Sequence, residues 1–532
     1  MAETSVVSTS LPAVGDYILG SSDTETVDSD VACTAEIDQL AESGNWAGAV
    51  AVAARYDVKE ADEKLRRPLR RPRKMALKLP WLMERKVPMH SRGFVRTTRH
   101  AITPARFLLL VALAHVVMGQ MPQFQWGNSS CPSSYDYCAT LEFCSGTATA
   151  YGFRIPGTTT SCNFRTAPLI RMVPGKKYAL TLSNSLAGTG DDTSTNLHTH
   201  GLHVSGDGNS DDTTRRVTAG GCLVYTYNIR ADHMGGTFWY HAHPHGRTNA
   251  QVRGGAMGML IIEDPANLTD DPGVNKWLRR SNERLLLASR VDGSTGTAVY
   301  RGNGASTPML QSLIANEWYR LRVVTVYPDS GPGSLEVGGA GCEVRPVAYD
   351  GVWRTVIPHP ARGNVYTDLT GASRIDLAIK CAPGIHRIIW FGGQVASLNA
   401  TNGNTTGATP YKNFNETWSP PRPAYLQDLR QTTMNNSYEV RVSPTAINDV
   451  SWNMDEALTT MQYNTVQEWD IDAFLDVHNF HLHVYHMQVS QCDVRAHSSH
   501  PSFCFHEVIV TTTCRWCLLA AAVVTRRASS TT

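Results

Sequence analysis

The sequence predicts an all-β chain, and three observations lead to that fold class. The 532 residues include 42 glycines and 27 prolines, which belong to turns rather than to helix interiors. Between these turn residues, runs rich in Val, Thr and Tyr alternate apolar and polar side chains, as in Met172–Leu182. Three histidine pairs have the spacing His-x-His, which suits a strand because residues i and i+2 share one face.

Length and charge set limits on domain number and partners. A chain of 532 residues predicts several domains, and a hydrophobic content of 42% is sufficient for packed cores. The formal net charge is +1, which gives no bulk electrostatic attraction for nucleic acid. We therefore expect no nucleic-acid partner, and we expect a monomer.

Residues 1–88 differ in composition from the rest of the chain. The opening is rich in Ser, Thr and Asp, which predicts disorder, and residues 35–54 read as a short pair of amphipathic helices. The basic run at 64–74 contains no aromatic residue, which favours a solvated linker over a nucleic-acid patch. We expect an extension that is disordered or helical and is an artefact of the gene model.

Residues 89–120 have the pattern of a secretory signal peptide. Four arginines precede the apolar run Phe107–Gly119, which ends in a small residue. This run is too short for a comfortable membrane span, but a signal anchor remains the alternative. The sequence thus predicts a secreted protein, or a cell-surface protein if the 107–119 run is an anchor.

Glycan acceptors and cysteines downstream fit a secretory context. We expect surface-loop sequons at six asparagines, namely Asn128, Asn267, Asn399, Asn404, Asn415 and Asn435. A cluster of four cysteines is typical of disulfides and consists of Cys131, Cys138, Cys144 and Cys162. Cys222 could join that set, and Cys342 with Cys381 could bridge a later domain, although the pairing cannot be read from sequence.

The histidine pairs predict a metal centre. The first is His198-Thr-His200 and the second is His241-Ala-His243, while the third, His481-Leu-His483, lies near the C-terminus. A single pair is commonly only a polar feature of a core or surface, but three pairs could surround a buried metal cluster with six neutral imidazoles. A zinc hydrolase is disfavoured, because catalytic zinc uses three protein ligands and an open position.

The segment from about 168 to 490 resembles the multicopper oxidases, the family of laccases, bilirubin oxidases and copper-efflux oxidases. The resemblance is carried by His198-Thr-His200-Gly201, by Trp239-Tyr-His241-Ala-His243, and by His478-Asn-Phe-His481-Leu-His483. It implies three consecutive cupredoxin-like Greek-key β-sandwich domains. We expect these at 121–270, 271–398 and, incomplete, 399–490, followed by an atypical tail at 491–532.

The resemblance also implies a role for each histidine and implies copper as the cofactor. His198 and His481 would bind the type 2 copper, and His478 would bind a type 1 copper. The four implied ligands of the type 3 coppers are His200, His241, His243 and His483. Three nearby histidines match no family ligand and are expected in supporting or surface roles, namely His203, His245 and His486.

One family motif is missing. A type 1 copper requires a thiolate, which the family supplies in a His-Cys-His stretch whose histidines also bind type 3 copper, and no such stretch occurs here. Two functions therefore stay open. One is a secreted multicopper oxidase that oxidises a small reducing substrate, a phenol or a metal ion, and reduces dioxygen to water. The other is an inactive copper-binding or structural glycoprotein on the same scaffold.

The composition of the tail leads to a testable prediction about the sequence of the transcript. Its composition is unlike a cupredoxin ending, and we expect that it derives from a mistaken gene model. Sequencing the transcript beyond the codon for His486 should reveal a His-Cys-His stretch with a trailing histidine. A transcript that encodes residues 490–532 as given would contradict this expectation and favour the inactive protein.

Overall fold

The computed structural model describes residues 121–488 with internal gaps, the longest of which is 404–419, together with 504–505 and 507–510 of the tail. Strands predominate in this part of the chain, and its two α-helices have six residues each. The predicted all-β fold class is confirmed. The predicted helix pair, the basic run and the 107–119 run lie outside the described residues. No helix among the described residues is long and apolar enough to cross a membrane.

The first block is a sandwich of two four-stranded sheets. Its described strands are β1 Tyr137–Ser145, β2 Tyr151–Arg154, β3 Ile170–Met172, β4 Lys177–Asn184, β5 His198–His200, β6 Cys222–Asn228, β7 Gly236–His241 and β8 Met257–Ile262, with helix α1 at Thr248–Arg253 and a 3-10 turn at Asp191–Thr193. One sheet has the order β2-β1-β4-β6 and the other β3-β8-β7-β5. A single apolar core lies between them and includes Leu141, Leu180, Tyr240 and Leu260.

Strand β8 shows why this part of the sequence is apolar throughout rather than alternating. Leu260 and Ile262 belong to the core of the first block. Met259 and Ile261 face the other way and pack with apolar residues of the second block, such as Val324. Successive side chains of a strand point to opposite faces, so a sheet covered on both sides needs apolar residues at every position.

The second block is a larger sandwich of six and five strands. It begins with helix α2 Pro272–Trp277, and its described strands are β9 Glu283–Asp292, β10 Ala298–Gly302, β11 Met309–Ile314, β12 Trp318–Val326, β13 Gly333–Val337, β14 Cys342–Tyr349, β15 Val352–Trp353, β16 Val365–Leu369, β17 Arg374–Cys381, β18 Gly384–Trp390 and β19 Gly393–Thr401, with 3-10 turns at Arg280–Asn282, Gly339–Gly341 and Arg362–Asn364. The sheet orders are β10-β9-β12-β17-β14-β15 and β11-β19-β18-β13-β16.

The third block is described only in short paired strands. They are β20 Asn436–Val442, β21 Gln467–Ala473, β22 His478–His481, β23 Met487–Gln488, β24 Cys504–Phe505 and β25 Glu507–Val510, after a 3-10 turn at Ala424–Leu426. Strands β20 and β21 pair, β22 pairs with β25, and β23 pairs with β24. Two short strands of the predicted atypical tail thus lie beside the third histidine pair. The number of cupredoxin-like domains and their boundaries stay predictions.

A buried ionic network joins the first block to the second. Arg322 contacts Glu283 at 2.8 Å and Asp264 at 3.0 Å, while Arg171 contacts Glu283 at 2.6 Å. Arg320 donates to Asp376 at 2.5 Å and lies 4.1 Å from the ring centroid of Trp353. Removing one partner from a buried network leaves an uncompensated charge, which is strongly destabilising. These contacts therefore fix the first block on the second.

The predicted disulfides within the cluster of four cysteines and between Cys342 and Cys381 are confirmed. Disulfides join Cys131 to Cys138, Cys144 to Cys162, and Cys342 to Cys381. Cys222 is disulfide-bonded as well, but not to that cluster, whose four cysteines pair with one another. The last of the three bridges connects register partners on strands β14 and β17 of the second block.

The sequon predictions are partly wrong. Asn267 is exposed, as expected for a surface loop. Asn399, however, lies half-buried in strand β19, where it pairs with Ser312 of β11 and Ile385 of β18. The strand continues to Thr401, past the predicted boundary at 398, because β11 supplies partners as far as Ile314. The other four sequon asparagines lie outside the described residues.

Glu283 supplies a test of the network through the pH dependence of stability. Burial raises the pKa of this carboxyl, but Arg322 and Arg171 outweigh it and lower the pKa to about 2. A carboxyl whose pKa is lowered on folding stabilises the folded state at pH values above its unfolded pKa of 4.5. This stabilisation is lost as the pH falls toward the folded pKa. The variant Glu283→Gln should lower the free energy of unfolding at pH 6 by about 3 kcal/mol.

The measurement is chemical denaturation at a series of pH values. Between pH 4.5 and pH 2 the variant should lose stability less steeply than the wild type, because it lacks the titrating carboxyl. The exposed Glu439 provides the matched control, and Glu439→Gln should follow the wild-type curve. An unchanged acid slope in Glu283→Gln would show that this carboxyl is not the one that titrates.

Candidate metal centre

Strand pairing brings the first two histidine pairs together. Strands β5 and β7 are antiparallel, with His198 opposite His241 and His200 opposite Trp239. His243 follows the end of β7, and its backbone N–H donates to Oδ1 of Asn196 at 2.7 Å. Four imidazoles therefore lie side by side on the face of the sheet that is turned away from the core of the first block.

The third pair joins them from 283 residues further along the chain. Nε2 of His481 lies 3.4 Å from Nε2 of His198, and the ring of His481 stacks on that of His200 with centroids 3.7 Å apart. The ring of His483 stacks on His198 at 4.1 Å and meets His243 edge-on at 5.0 Å. Sequence-distant histidines thus form one cluster.

Six of the seven predicted ligands belong to this cluster. His478 lies in strand β22, but its side chain is outside the described residues, and its type 1 role stays a prediction. The expectation that each pair lies in a strand holds only for His198 and His200. The other two pairs extend past the ends of β7 and β22, so turns as well as strand geometry determine their direction.

The cluster is buried and favours neutral rings. His198, His200 and His241 are fully buried, and His243 and His483 are nearly so. Burial lowers the pKa of His200 well below its usual value, and the nearby charges of His481 and Arg374 lower it further. An imidazole must be neutral to bind a metal, so burial holds His200 in the ligand form.

Asp211 orients His198. Its Oδ2 lies 2.8 Å from Nδ1 of His198, and its Oδ1 accepts hydrogen bonds from the backbone N–H and the hydroxyl of Thr199. Burial raises the pKa of Asp211 to about 7 although Thr199 opposes that change. In its ionised form Asp211 can only accept, so Nδ1 of His198 then carries the proton and Nε2 keeps a lone pair. Ligating histidines in metal sites commonly have such a partner.

The donor set fits a metal. Nδ1 of His241 donates to the carbonyl of Ala242 at 3.0 Å, so Nε2 of this ring also carries a lone pair. Two nitrogens that each bind one ion at about 2 Å lie at most about 4 Å apart, and the 3.4 Å between His198 and His481 satisfies this limit. Nitrogen donors of this kind suit copper. By contrast, Cys342 and Cys381 near His386 are joined in a disulfide and offer no thiolate.

Gly201 allows the second block to approach the first pair. Its φ of 96° is a conformation that residues with side chains rarely adopt. A Cβ at this position would lie 2.7 Å from Nη2 of Arg374 and 3.0 Å from Cδ1 of Phe238. The glycine after His200 is therefore required both for the turn and for the packing of Arg374.

The sequence analysis missed Asp211 and assigned no contact to His203. Nothing in the sequence separates Asp211 from its neighbour Asp212, because only the fold turns the former toward His198. His203 donates to the backbone of the third block, and His486 is buried near it, whereas His245 is exposed. Supporting roles fit the first two and a surface role fits the third.

Comparison with known proteins finds two regions that match one family. Two family models, both described as multicopper oxidase, match residues 158–267 and 418–506, which contain all six clustered histidines. These two regions match the family that the histidine motifs implied. Members of this family bind copper, which confirms the predicted cofactor. The second match extends beyond residue 490, where the predicted third domain ends.

Similar curated proteins match parts of this chain. Laccase-1 of Thanatephorus cucumeris is 25% identical over 288 residues, which are 48% of this chain and 46% of the laccase. An iron transport multicopper oxidase of Candida albicans is 36% identical over 102 residues, 18% of this chain and 15% of that protein. The chain thus spans less than half the length of these relatives.

Solved structures support the same fold. A laccase-like multicopper oxidase from Ochrobactrum sp. superposes with a TM-score of 0.56 at 15% identity, over 75% of this chain and 92% of that one. A multicopper oxidase from Campylobacter jejuni gives 0.54 at 18% identity, over 75% and 88%. At these identities the likeness shows the fold alone.

The contact between Asp211 and His198 predicts an effect on copper affinity. In Asp211→Asn the amide oxygen can accept a hydrogen bond from Thr199 or from His198, but not from both. The NH2 group of the amide then faces an N–H donor on the other side. The outcome is the wrong His198 tautomer or a lost Thr199 contact, and copper affinity should fall about tenfold to a hundredfold. Competition with a copper chelator measures the affinity.

Asp212 provides the matched control for this measurement. It accepts hydrogen bonds from its neighbour Thr214 and is not buried. Asp212→Asn should therefore keep the wild-type copper affinity. Equal affinities in the two variants would show that Asp211 does not orient His198.

Proposed function

We propose that this chain is a copper-dependent oxidase that takes single electrons from a small reducing substrate and passes them to dioxygen, which is reduced to water. The observation that carries the proposal is the convergence of three His-x-His pairs in one buried cluster. The residue roles are part of the proposal. His198 and His481 hold the type 2 copper, and the type 3 ligands are His200, His241, His243 and His483.

The residues of the cluster prepare the site before any metal binds. Asp211 holds the proton of His198 on Nδ1, and the Ala242 carbonyl holds the proton of His241 on Nδ1. Burial keeps His200 neutral and limits the access of water. Copper bound by these rings would supply one-electron redox chemistry and a binding place for dioxygen. Each dioxygen requires four electrons and four protons to become two water molecules.

The substrate class and the location belong to the same proposal. Phenols and metal ions such as Fe(II) are proposed as electron donors, because the similar proteins include a laccase and an iron transport oxidase. Secretion is supported by the disulfides, which form in oxidising compartments. The signal-like segment at 89–120 lies outside the described residues.

A second candidate is a copper-binding protein without oxidase turnover. The observation that favours it is the absence of any His-Cys-His stretch from the 532 residues. Without that stretch the chain has neither the thiolate of a type 1 copper nor the two further histidines of a full type 3 set. Such a protein would bind copper through the same six imidazoles and show no thiolate-to-copper colour.

Dioxygen uptake tests the proposal on the full chain. Copper-loaded protein should consume dioxygen when a substituted phenol or Fe(II) is added, and His198→Ala should abolish this uptake because it removes a ligand. His245→Ala is the matched control, since His245 is exposed, and it should match the wild type.

Metal analysis separates the outcomes of that experiment. Bound copper without dioxygen uptake would reject the oxidase and support the second candidate. Absence of bound copper would reject both functions. Equal uptake by His198→Ala and His245→Ala would reject the assignment of the cluster as the reacting centre.

A further inference from the structure

The backbone turns sharply after each of two histidine pairs, but with different residues. His200 is followed by Gly201 at φ 96°, whereas His483 is followed by Val484 at φ 59°. Positive φ is ordinary for glycine and a strained conformation for a β-branched residue. The third pair thus depends on a turn that its own sequence disfavours.

The turn at Val484 is tight and adjoins a proposed ligand. The backbone N–H of Tyr485 donates to the carbonyl of His483 at 2.8 Å, which closes a three-residue turn centred on Val484. Strained backbone of this kind persists only where surrounding contacts hold it. A contact that fixes the Val484 peptide therefore also fixes the direction of His483.

His203 supplies such a contact from the first block. Its Nδ1 lies 3.0 Å from the carbonyl oxygen of Val484, 281 residues away. Because a carbonyl oxygen can only accept, the proton lies on Nδ1 of His203. This hydrogen bond links the segment just after the first histidine pair to the segment just after the third.

Four further contacts hold His203 itself in place. Its backbone N–H donates to Nε2 of His233 at 3.1 Å, and Nδ1 of His233 donates to the carbonyl of Met234 at 2.8 Å. The backbone N–H of Met234 donates to the hydroxyl of Tyr425 at 2.8 Å. The ring of Tyr425 stacks on His203, with centroids 4.2 Å apart and planes 12° from parallel. These contacts form a closed ring that leaves His203 little freedom.

We propose that His203 is a positioning residue for the copper site. It holds the strained turn at Val484, and through that turn it places His481 and His483 against the histidines of the first block. The inference rests on the proposed copper centre but not on oxidase turnover. It assigns His203 no bond to copper and no part in proton transfer.

Two substitutions separate the hydrogen bond from the ring. His203→Phe keeps an aromatic ring for stacking on Tyr425 but removes the donor to Val484. His203→Asn loses the ring but places an amide N–H close to the position of Nδ1. Copper affinity, measured by competition with a chelator for Cu(I), should fall about tenfold to a hundredfold in the Phe variant. The Asn variant should stay within about threefold of the wild type, as expected if the donor is what matters.

A second experiment tests the proposal by relieving the strain of the turn at Val484. Val484→Gly permits positive φ without strain, so the turn should no longer need a clamp. In this background His203→Phe should reduce copper affinity much less than it does in the wild type. A double-mutant cycle over the two positions measures the difference. An equal loss in both backgrounds would overturn the proposal.

A spectroscopic readout distinguishes placement from general loss of structure. The electron paramagnetic resonance spectrum of mononuclear Cu(II) should show a changed hyperfine splitting in His203→Phe. The melting temperature of the first two blocks should stay that of the wild type. His245→Phe is the matched control and should match the wild type in both respects. Wild-type affinity and an unchanged signal in His203→Phe would overturn the proposal.

If His203→Phe does not fold, a second pair of variants tests the proposal. His203→Asn and His203→Asp have side chains of equal size, but only the former donates to a carbonyl. Copper affinities within about threefold of each other would overturn the proposal, because a hydrogen bond to the Val484 carbonyl predicts a larger difference. A wild-type chain that binds no copper would instead reject the proposed function, independently of His203.

Discussion

Six imidazole rings meet in one cluster, in which five are buried and that of His481 is half-buried, and the structure around them depends on keeping those rings neutral. Charged imidazoles packed with centroids as close as 3.7 Å would repel one another without water to screen them. Burial lowers the pKa of His200, and Asp211 holds the His198 proton on the nitrogen that faces away from the cluster. Neutral, oriented rings are also what a metal requires, so stability and function impose the same demand.

Two kinds of structure assemble the cluster, namely strand pairing within one sheet and contacts between blocks. Register between β5 and β7 places the first two pairs, which makes them a local consequence of one sheet. The third pair must be carried in from a distant block whose described strands pair only two by two. Contacts across the blocks therefore matter more for His481 and His483. The buried ionic network around Arg322 and the hydrogen bond from His203 act at this level.

Periodicity and motif spacing were enough to predict the fold class, the cluster of disulfide cysteines and the six clustered histidines, while the family was implied by the resemblance of the histidine motifs. They could not separate Asp211 from Asp212, because the difference lies in which carboxylate the loop turns inward. They also placed Asn399 in a loop, whereas pairing with β11 continues the strand through it. The turn at Val484 was hidden for the same reason, since a valine gives no sign of positive φ. Tertiary contacts decide all three.

Anomalous diffraction at the copper absorption edge, on crystals of the copper-loaded chain, tests the central claim most directly. The account predicts copper peaks within bonding distance, about 2 Å, of the imidazole nitrogens of His198, His200, His241, His243, His481 and His483. Their positions would also show whether His198 and His481 share one ion. Copper bound elsewhere, or a cluster that stays free of copper under saturating conditions, would contradict the account.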